Sequence, residues 1–127
     1  MKTAAIISEF NPFHNGHKFL IDECEKSGFT HKVAIMSGSF VQRGDLALFS
    51  KFERTKSALK NGIDLVVELP VCYALSTAQN FAFGGVQIAE KLAINNLVFG
   101  SECGNTESIL PTAKNLMCDE LNSKIKQ

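Results

Sequence analysis

Residues 4–17 read Ala4-Ala-Ile-Ile-Ser-Glu-Phe-Asn-Pro-Phe-His-Asn-Gly-His17, and this stretch decides the fold. Its first half is a continuous apolar run rather than an alternation. That pattern suits a strand covered on both faces, as in a parallel sheet, and predicts a first strand over Ala4–Glu9. Pro12 fixes the entry to a turn, and Gly16 removes a side chain where backbone and ligand must come close. From Gly16 to Ser27 the residues His17, Leu20, Ile21 and Cys24 fall on one helical face, and Gly28 follows as a stop. A buried strand passing through a tight turn into an amphipathic helix is the first half of a βα unit.

The same alternation continues outward. Lys32–Ser37, Asp64–Leu69 and Asn96–Phe99 read as three further strands. Ser50-Lys-Phe-Glu53 has the form of a capping box and opens a helix to Asn61, with Gly62 as its stop. Ser76 or Thr77 caps a helix to about Leu92, although Gly84-Gly85 weakens its middle. The order β-α-β-α-β-α-β predicts an α/β fold, a Rossmann-like parallel sheet with helices on both faces and right-handed crossovers. The segment from Asn105 to Gln127 is polar and reads as helical, with Pro111 early in it and Ile109, Leu110, Leu116 and Leu121 as its few large aliphatics.

Composition bounds the function. The chain has 127 residues and 13.9 kDa, the size of one ordinary domain, and 45% hydrophobic with 20% charged residues argues against wholesale disorder. Thirteen basic residues balance thirteen acidic ones, which excludes a whole-surface footprint for nucleic acid or anionic membrane but not a local patch. Cys24, Cys72, Cys103 and Cys118 contain no Cys-x-x-Cys spacing, so neither a zinc site nor a redox pair is suggested. Glu9 and Asn11 interrupt the opening apolar run before a signal-peptide core is complete, and no apolar run is long enough to span a membrane. The expectation is a cytoplasmic protein with reduced thiols and no membrane partner.

Chemistry concentrates in Phe10–His17. In open α/β sheets ligands bind at the carboxyl ends of the strands, and a helix N-terminus attracts phosphate. His14 and His17 rise from such a place, where imidazole N–H groups and helix-end amides together stabilise charge on a phosphate in transfer. From spacing alone, phosphate binding, metal ligation and a plain structural turn all remain open, and no third ligand accompanies the pair.

A wider match narrows this. His14-Asn-Gly-His17 resembles the His-x-Gly-His signature of the nucleotidylyltransferase superfamily. Together with Met36-Ser-Gly-Ser-Phe-Val-Gln-Arg-Gly44, Asp64-Leu-Val-Val-Glu-Leu-Pro70 and Phe99-Gly-Ser-Glu102, the sequence resembles the bacterial tRNA(Met) cytidine acetate ligase family. The resemblance implies an enzyme that uses ATP to make acetyl-adenylate, releases pyrophosphate, and acetylates the wobble cytidine of elongator tRNA(Met) to N4-acetylcytidine. It implies a fold of the nucleotidylyltransferase type. It places ATP against Ile7, Ser8, Glu9, Phe10, Asn11, Pro12, Phe13, His14, Asn15, Gly16, His17, Lys18, Phe19 and Leu20, and its nucleoside against Gly100. His14 and His17 become the catalytic pair. Residues 1–103 then form the nucleotide-binding domain and 104–127 a helical connector toward a C-terminal part outside this chain. The chain is accordingly expected to be an N-terminal fragment or a shortened relative, with the tRNA held mainly elsewhere. His-x-Gly-His alone also allows an adenylyl- or cytidylyltransferase for another small substrate, or a nucleotide-binding module without turnover.

The second block has a physical reading of its own. Ser37, Gly38, Gln42 and Arg43 follow the second strand, on the same sheet edge as the histidines, and Gly38 and Gly44 allow a tight loop. Residues 42–60 carry Arg43, Lys51, Arg54, Lys56 and Lys60 against Asp45 and Glu53. Arg43, Lys51 and Arg54 are the candidates for acetate, pyrophosphate or an RNA phosphate, whereas Lys56 and Lys60 read as a solvated helix face. Ser76, Thr77, Gln79 and Asn80 either line the site or cap the next helix, and capping is the favoured reading. ATP chemistry implies Mg²⁺, with Asp64, Glu68 and Glu102 as carboxylates that reach it through water, but no pair has diagnostic spacing and no metal ligand is named.

Overall fold

The computed structural model describes residues 1–102 and 104–116. Strand β1 (Thr3–Ser8) leads into helix α1 (Asn15–Lys26), followed by β2 (His31–Ser37), α2 (Lys51–Lys60), β3 (Leu65–Leu69), the short α3 (Val71–Ala74), α4 (Ala78–Lys91) and α5 (Thr106–Leu116). The three strands form a parallel sheet in the order β1-β2-β3, with Ala5 paired to Val33 and Ile35 to Val67. The expected fourth strand, Asn96–Phe99, contracts to one parallel bridge, Ala5 to Leu97. It is held by Ala5 N donating to Asn96 O (2.8 Å) and Val98 N donating to Ala5 O (2.9 Å). This bridge lies on the free side of β1. The spatial order is therefore β3-β2-β1-Leu97, and the chain reverses direction across the sheet between β1 and Leu97. A reversal of this kind is where open α/β sheets bind ligands.

Side-chain parity in the strands fills two cores. Ala4, Ile6, Ala34 and Met36 point to one face and pack with Ile21 and Cys24 of α1 and Ala58 of α2. Ala5, Ile35 and Leu69 point to the other and pack with Ala74 of α3 and Ala89 of α4. Helices thus cover both faces, as the continuous apolar strands require. Helices α2 and α4 take the expected N-caps, although the Ser50–Glu53 capping box forms only its serine half. Ser50 Oγ accepts from Glu53 N at 3.2 Å, and Thr77, rather than Ser76, caps α4 by accepting from Asn80 N at 3.3 Å. Gly28 and Gly62 follow their helices with φ of 78° and 105°, conformations that a side chain resists.

Gly84-Gly85 has a packing reason that propensity conceals. A Cβ on Gly84 would overlap the Tyr73 ring of α3, and one on Gly85 would overlap Ile7 of β1. The two glycines let α4 lie directly on the sheet. Cys24 is buried and Cys72 exposed, both as free thiols, while Cys103, Cys118 and Leu121 lie outside the described residues. Among the described residues no helix is long and apolar enough to cross a membrane.

Candidate nucleotide site

β1 ends at Ser8, and the chain turns sharply before α1. Phe10 carries the turn with φ of 46°, an unusual conformation for a bulky residue, while its ring is 1% exposed in the core. A cis peptide joins Asn11 to Pro12. His14 is then the N-cap of α1. Its Nδ1 accepts from Gly16 N at 3.1 Å, and His17 Nδ1 accepts from His14 N at 3.2 Å. This is a reciprocal capping box built from two imidazoles, where Ser or Thr with Glu is usual. The rings stack with centroids 3.8 Å apart and planes at 25°. Gly16 has a local cause as well, because a Cβ there would press on the His14 ring at 3.0 Å.

The caps determine the chemistry of the rings. An Nδ1 that accepts a backbone N–H carries no proton, so each neutral ring holds its proton on Nε2. Burial, assisted by the neighbouring His14, lowers the His17 pKa from 6.5 to about 4. His17 is therefore a neutral Nε2–H donor at pH 7, with Nε2 lying 3.4 Å from Ser8 Oγ. Phe10 meets it edge-on at 4.9 Å and Phe13 packs at 5.5 Å, which fixes the ring plane. The Gly16 amide is occupied in the cap and His17 Nε2 meets Ser8 Oγ, while His14 Nε2 has no hydrogen-bond partner among the described residues.

Residues 7–20 divide by role. Ile7 packs under α4 and Leu20 against the α1–α2 core. Lys18 is paired with Asp22, Asn15 is exposed, and Phe19 is an exposed ring. Pro12 and Phe13 line a shallow cavity with Glu53, Arg54 and Ser57. Glu9 and Asn11 turn away toward the loop after β2: Glu9 Oε1 accepts from Gln42 N (2.6 Å) and Asn11 Oδ1 from Leu48 N (2.7 Å). Gly100, just past the Leu97 bridge, is exposed, and a Cβ there would meet nothing within 4 Å.

The loop after β2 is a small hairpin. Phe40 and Leu46 form an antiparallel bridge, Ala47 N donates to Ser39 O (2.9 Å), and Gly44 makes the bend with φ of 86°. Arg54 fastens its root. The side chain is 2% exposed and donates to Glu9 O (2.6 Å), Phe49 O (3.1 Å), Ser37 O (3.2 Å) and Gly38 O. Burial lowers its pKa, and the charges of Glu9 and Glu68 oppose that.

The anion candidates accordingly separate. Arg54 is a clamp on backbone carbonyls rather than a ligand for an anion. Ser37 is fully buried with an unpartnered Oγ, and Gly38 is buried where a Cβ would strike Glu68, so neither residue meets solvent. Lys51 Nζ pairs with Glu68 Oε2 at 2.7 Å. Gln42 contributes its backbone N–H to Glu9. Arg43 is exposed and makes no hydrogen bond or ion pair among the described residues. With Glu9, Asn11, Asp45 and three apolar side chains it lines a cleft of about 490 Å³.

The carboxylates considered for Mg²⁺ do not converge. Asp64 Oδ2 accepts from Lys32 N at 2.7 Å, at the amino end of β3 and so at the wrong end of the sheet. Glu68 is held by Lys51. No group of three or more His, Cys, Asp or Glu gathers among the described residues, so the residues present do not build a protein cage for the ion. A cavity of about 650 Å³ lined by Thr3, His31, Asp64, Asn95 and Asn96 also lies at the amino ends of the strands, away from the histidines.

The chain is similar to known proteins over most of its length. A family model described as HIGH Nucleotidyl Transferase matches residues 1–127. The tRNA(Met) cytidine acetate ligase of Caldicellulosiruptor bescii is 44% identical over 121 residues, which is 94% of this chain and 30% of that protein. The protein of the same name from Pediococcus pentosaceus is 52% identical over 103 residues, 80% of this chain and 28% of that one. Among solved structures, Thermotoga maritima TmcAL bound with alpha-thio ATP superposes with a TM-score of 0.85 at 40% identity, over 91% of this chain and 28% of that chain. Its apo form gives 0.86 at 39% identity, over 97% of this chain and 30% of that one. The chain spans about 30% of the length of the curated relatives it matches.

Proposed function

The chain belongs to the HIGH Nucleotidyl Transferase family, and on that footing we propose that it is the nucleotide-binding part of an ATP-dependent acetate ligase acting on tRNA(Met). One observation carries the reading. Two imidazoles, each with its Nδ1 engaged by a backbone N–H and its Nε2 left for a ligand, stand where β1 enters α1 at the reversal of strand order. Donors placed there suit the phosphates of ATP, with the nucleoside extending toward Gly100 beyond the Leu97 bridge. An acetate oxygen attacks the α-phosphorus, the bond to pyrophosphate breaks, and acetyl-adenylate forms. The wobble cytidine N4 then attacks the acetyl carbon, AMP leaves, and the N4 proton is lost. His14 and His17 serve the first step by stabilising phosphate charge, and no protein nucleophile is needed. Mg²⁺ would accompany the nucleotide, and no group of three or more metal-ligating side chains gathers among the described residues.

The balanced charge of the chain supports holding the tRNA mainly through regions beyond it, as binding to the phosphate backbone requires many cations. In this reading residues 104–127 connect the nucleotide domain to those regions. Exchange of labelled pyrophosphate into ATP tests the proposal. Exchange that requires acetate supports it. Exchange that responds only to another acid or alcohol assigns the site to a different transfer, and nucleotide binding without exchange under any condition leaves a binding module.

A further inference from the structure

The cleft between the post-β1 turn and the hairpin is built rather than incidental. Glu9 and Asn11 fasten its hairpin wall through Gln42 N and Leu48 N, and Arg54 locks the roots of both walls. Its volume of about 490 Å³ lies within the range of about 300–1,000 Å³ usual for small-ligand sites. Resting on the acetate-ligase reading, we propose that this cleft receives the amino-bearing face of the acceptor cytosine.

The polar groups left unused in the cleft decide the ligand class. They are the second carboxylate oxygen of Glu9, the Asn11 Nδ2, the Asp45 carboxylate and the Arg43 guanidinium. A carboxylate or phosphate entering here meets two like charges and one opposite charge. The buried Arg54 beside Glu9 offsets part of that repulsion, but its own donors are occupied by carbonyls. A neutral ring with both donors and acceptors on one edge is matched. Asp and Glu accept from the cytosine 4-amino group, and Arg donates to ring acceptors. Leu46 and Leu48, 72% and 68% exposed, supply apolar surface for the ring faces. Uracil reverses the amino donor to a carbonyl acceptor and would face a carboxylate instead. The position is also apt, because Glu9 and Asn11 belong to the same turn as His14 and His17.

Backbone-amide NMR on the full chain tests this, with alpha-thio ATP present to occupy the nucleotide site. Cytidine monophosphate is expected to shift the amides of Glu9, Asn11 and residues 41–48, and to bind roughly tenfold more tightly than uridine monophosphate, the lower part of the discrimination a good paired contact gives. Asp45→Asn and Arg43→Leu, both at exposed positions, should each remove most of that preference while the core amides stay in place. Equal binding of the two monophosphates, shifts confined to residues 14–18, or shifts from acetate but not cytidine would overturn the proposal. If alpha-thio ATP itself shifts nothing at residues 14–18, the nucleotide reading fails, and the cytidine-to-uridine ratio still decides the cleft.

Discussion

His14 and His17 cap one another: each Nδ1 accepts a backbone N–H of the same turn, and the two rings stack at 3.8 Å. One arrangement therefore starts helix α1 and presents two Nε2–H donors. Structural and functional roles fall on opposite nitrogens of the same two rings, and suitable substitutions separate them.

His14→Asn keeps a side-chain acceptor at the N-cap, whereas His14→Ala removes it. The Asn variant should retain nearly all the stability of the parent and the Ala variant should lose about 1 kcal/mol. Both should bind ATP more weakly. Denaturant unfolding together with calorimetric titration of ATP separates the two effects.

His17→Ala removes one preorganised donor. In an active full-length protein, adenylate formation should fall about 10²- to 10³-fold, the usual cost of losing such a group. An unchanged exchange rate removes His17 from the mechanism.

His17 gives a defined pH signature. Its unfolded-state pKa is 6.5 and burial lowers the folded value to about 4. Between these limits the unfolded chain binds more protons than the folded one, so stability rises with pH in that window. The contribution is complete above pH 6.5 and is lost as pH falls toward 4. His17→Asn should flatten stability against pH in this interval relative to the parent, and the His17 ring resonance should titrate near 4 by NMR.

Arg54→Lys keeps the charge and discards the fork. Lys cannot reach four carbonyls, so buried acceptors are left unpaired and the protein should lose about 2–4 kcal/mol. Amide exchange should quicken first in residues 38–48, the hairpin whose root Arg54 holds. Uniform loss of protection across the sheet would show that the residue supports the whole fold instead.

Gly85→Ala sets two magnitudes against each other. Alanine gains about 1 kcal/mol of helix propensity, but its methyl overlaps Ile7, and overpacking a core costs about 1–3 kcal/mol. Net destabilisation is expected, measured as a lower Tm.

Much of the fold is legible in the sequence because its signals are local. Apolar runs place β1, β2 and β3, and Ser50, Thr77, Gly28 and Gly62 place helix ends. The last strand reads longer than it is, because Leu-Val-Phe at 97–99 is apolar enough for a strand, while only Leu97 finds a partner, on the outer side of β1. Short α3 leaves no signal, since four residues after Pro70 carry too little periodicity. The histidine turn is legible from its motif, but its cap is not, because imidazoles seldom occupy both ends of a capping box. Charge alone makes Arg54 look like an anion ligand. Its spacing of four from Ala58 places it on the buried face of α2, a signal that marks it as a clamp. The roles of Glu9 and Asn11 depend on a hairpin more than thirty residues away and leave no local trace.

Nucleotide is expected to occupy the reversal of strand order beside the paired histidines, and the proposed chemistry depends on that placement. Hydrogen–deuterium exchange with and without alpha-thio ATP tests it most directly. Added protection at residues 14–18 and around Gly100, with none around His31, Asp64 and Asn95 at the opposite end of the sheet, is the predicted result. Protection centred on that opposite cavity, with residues 14–18 unchanged, would contradict it.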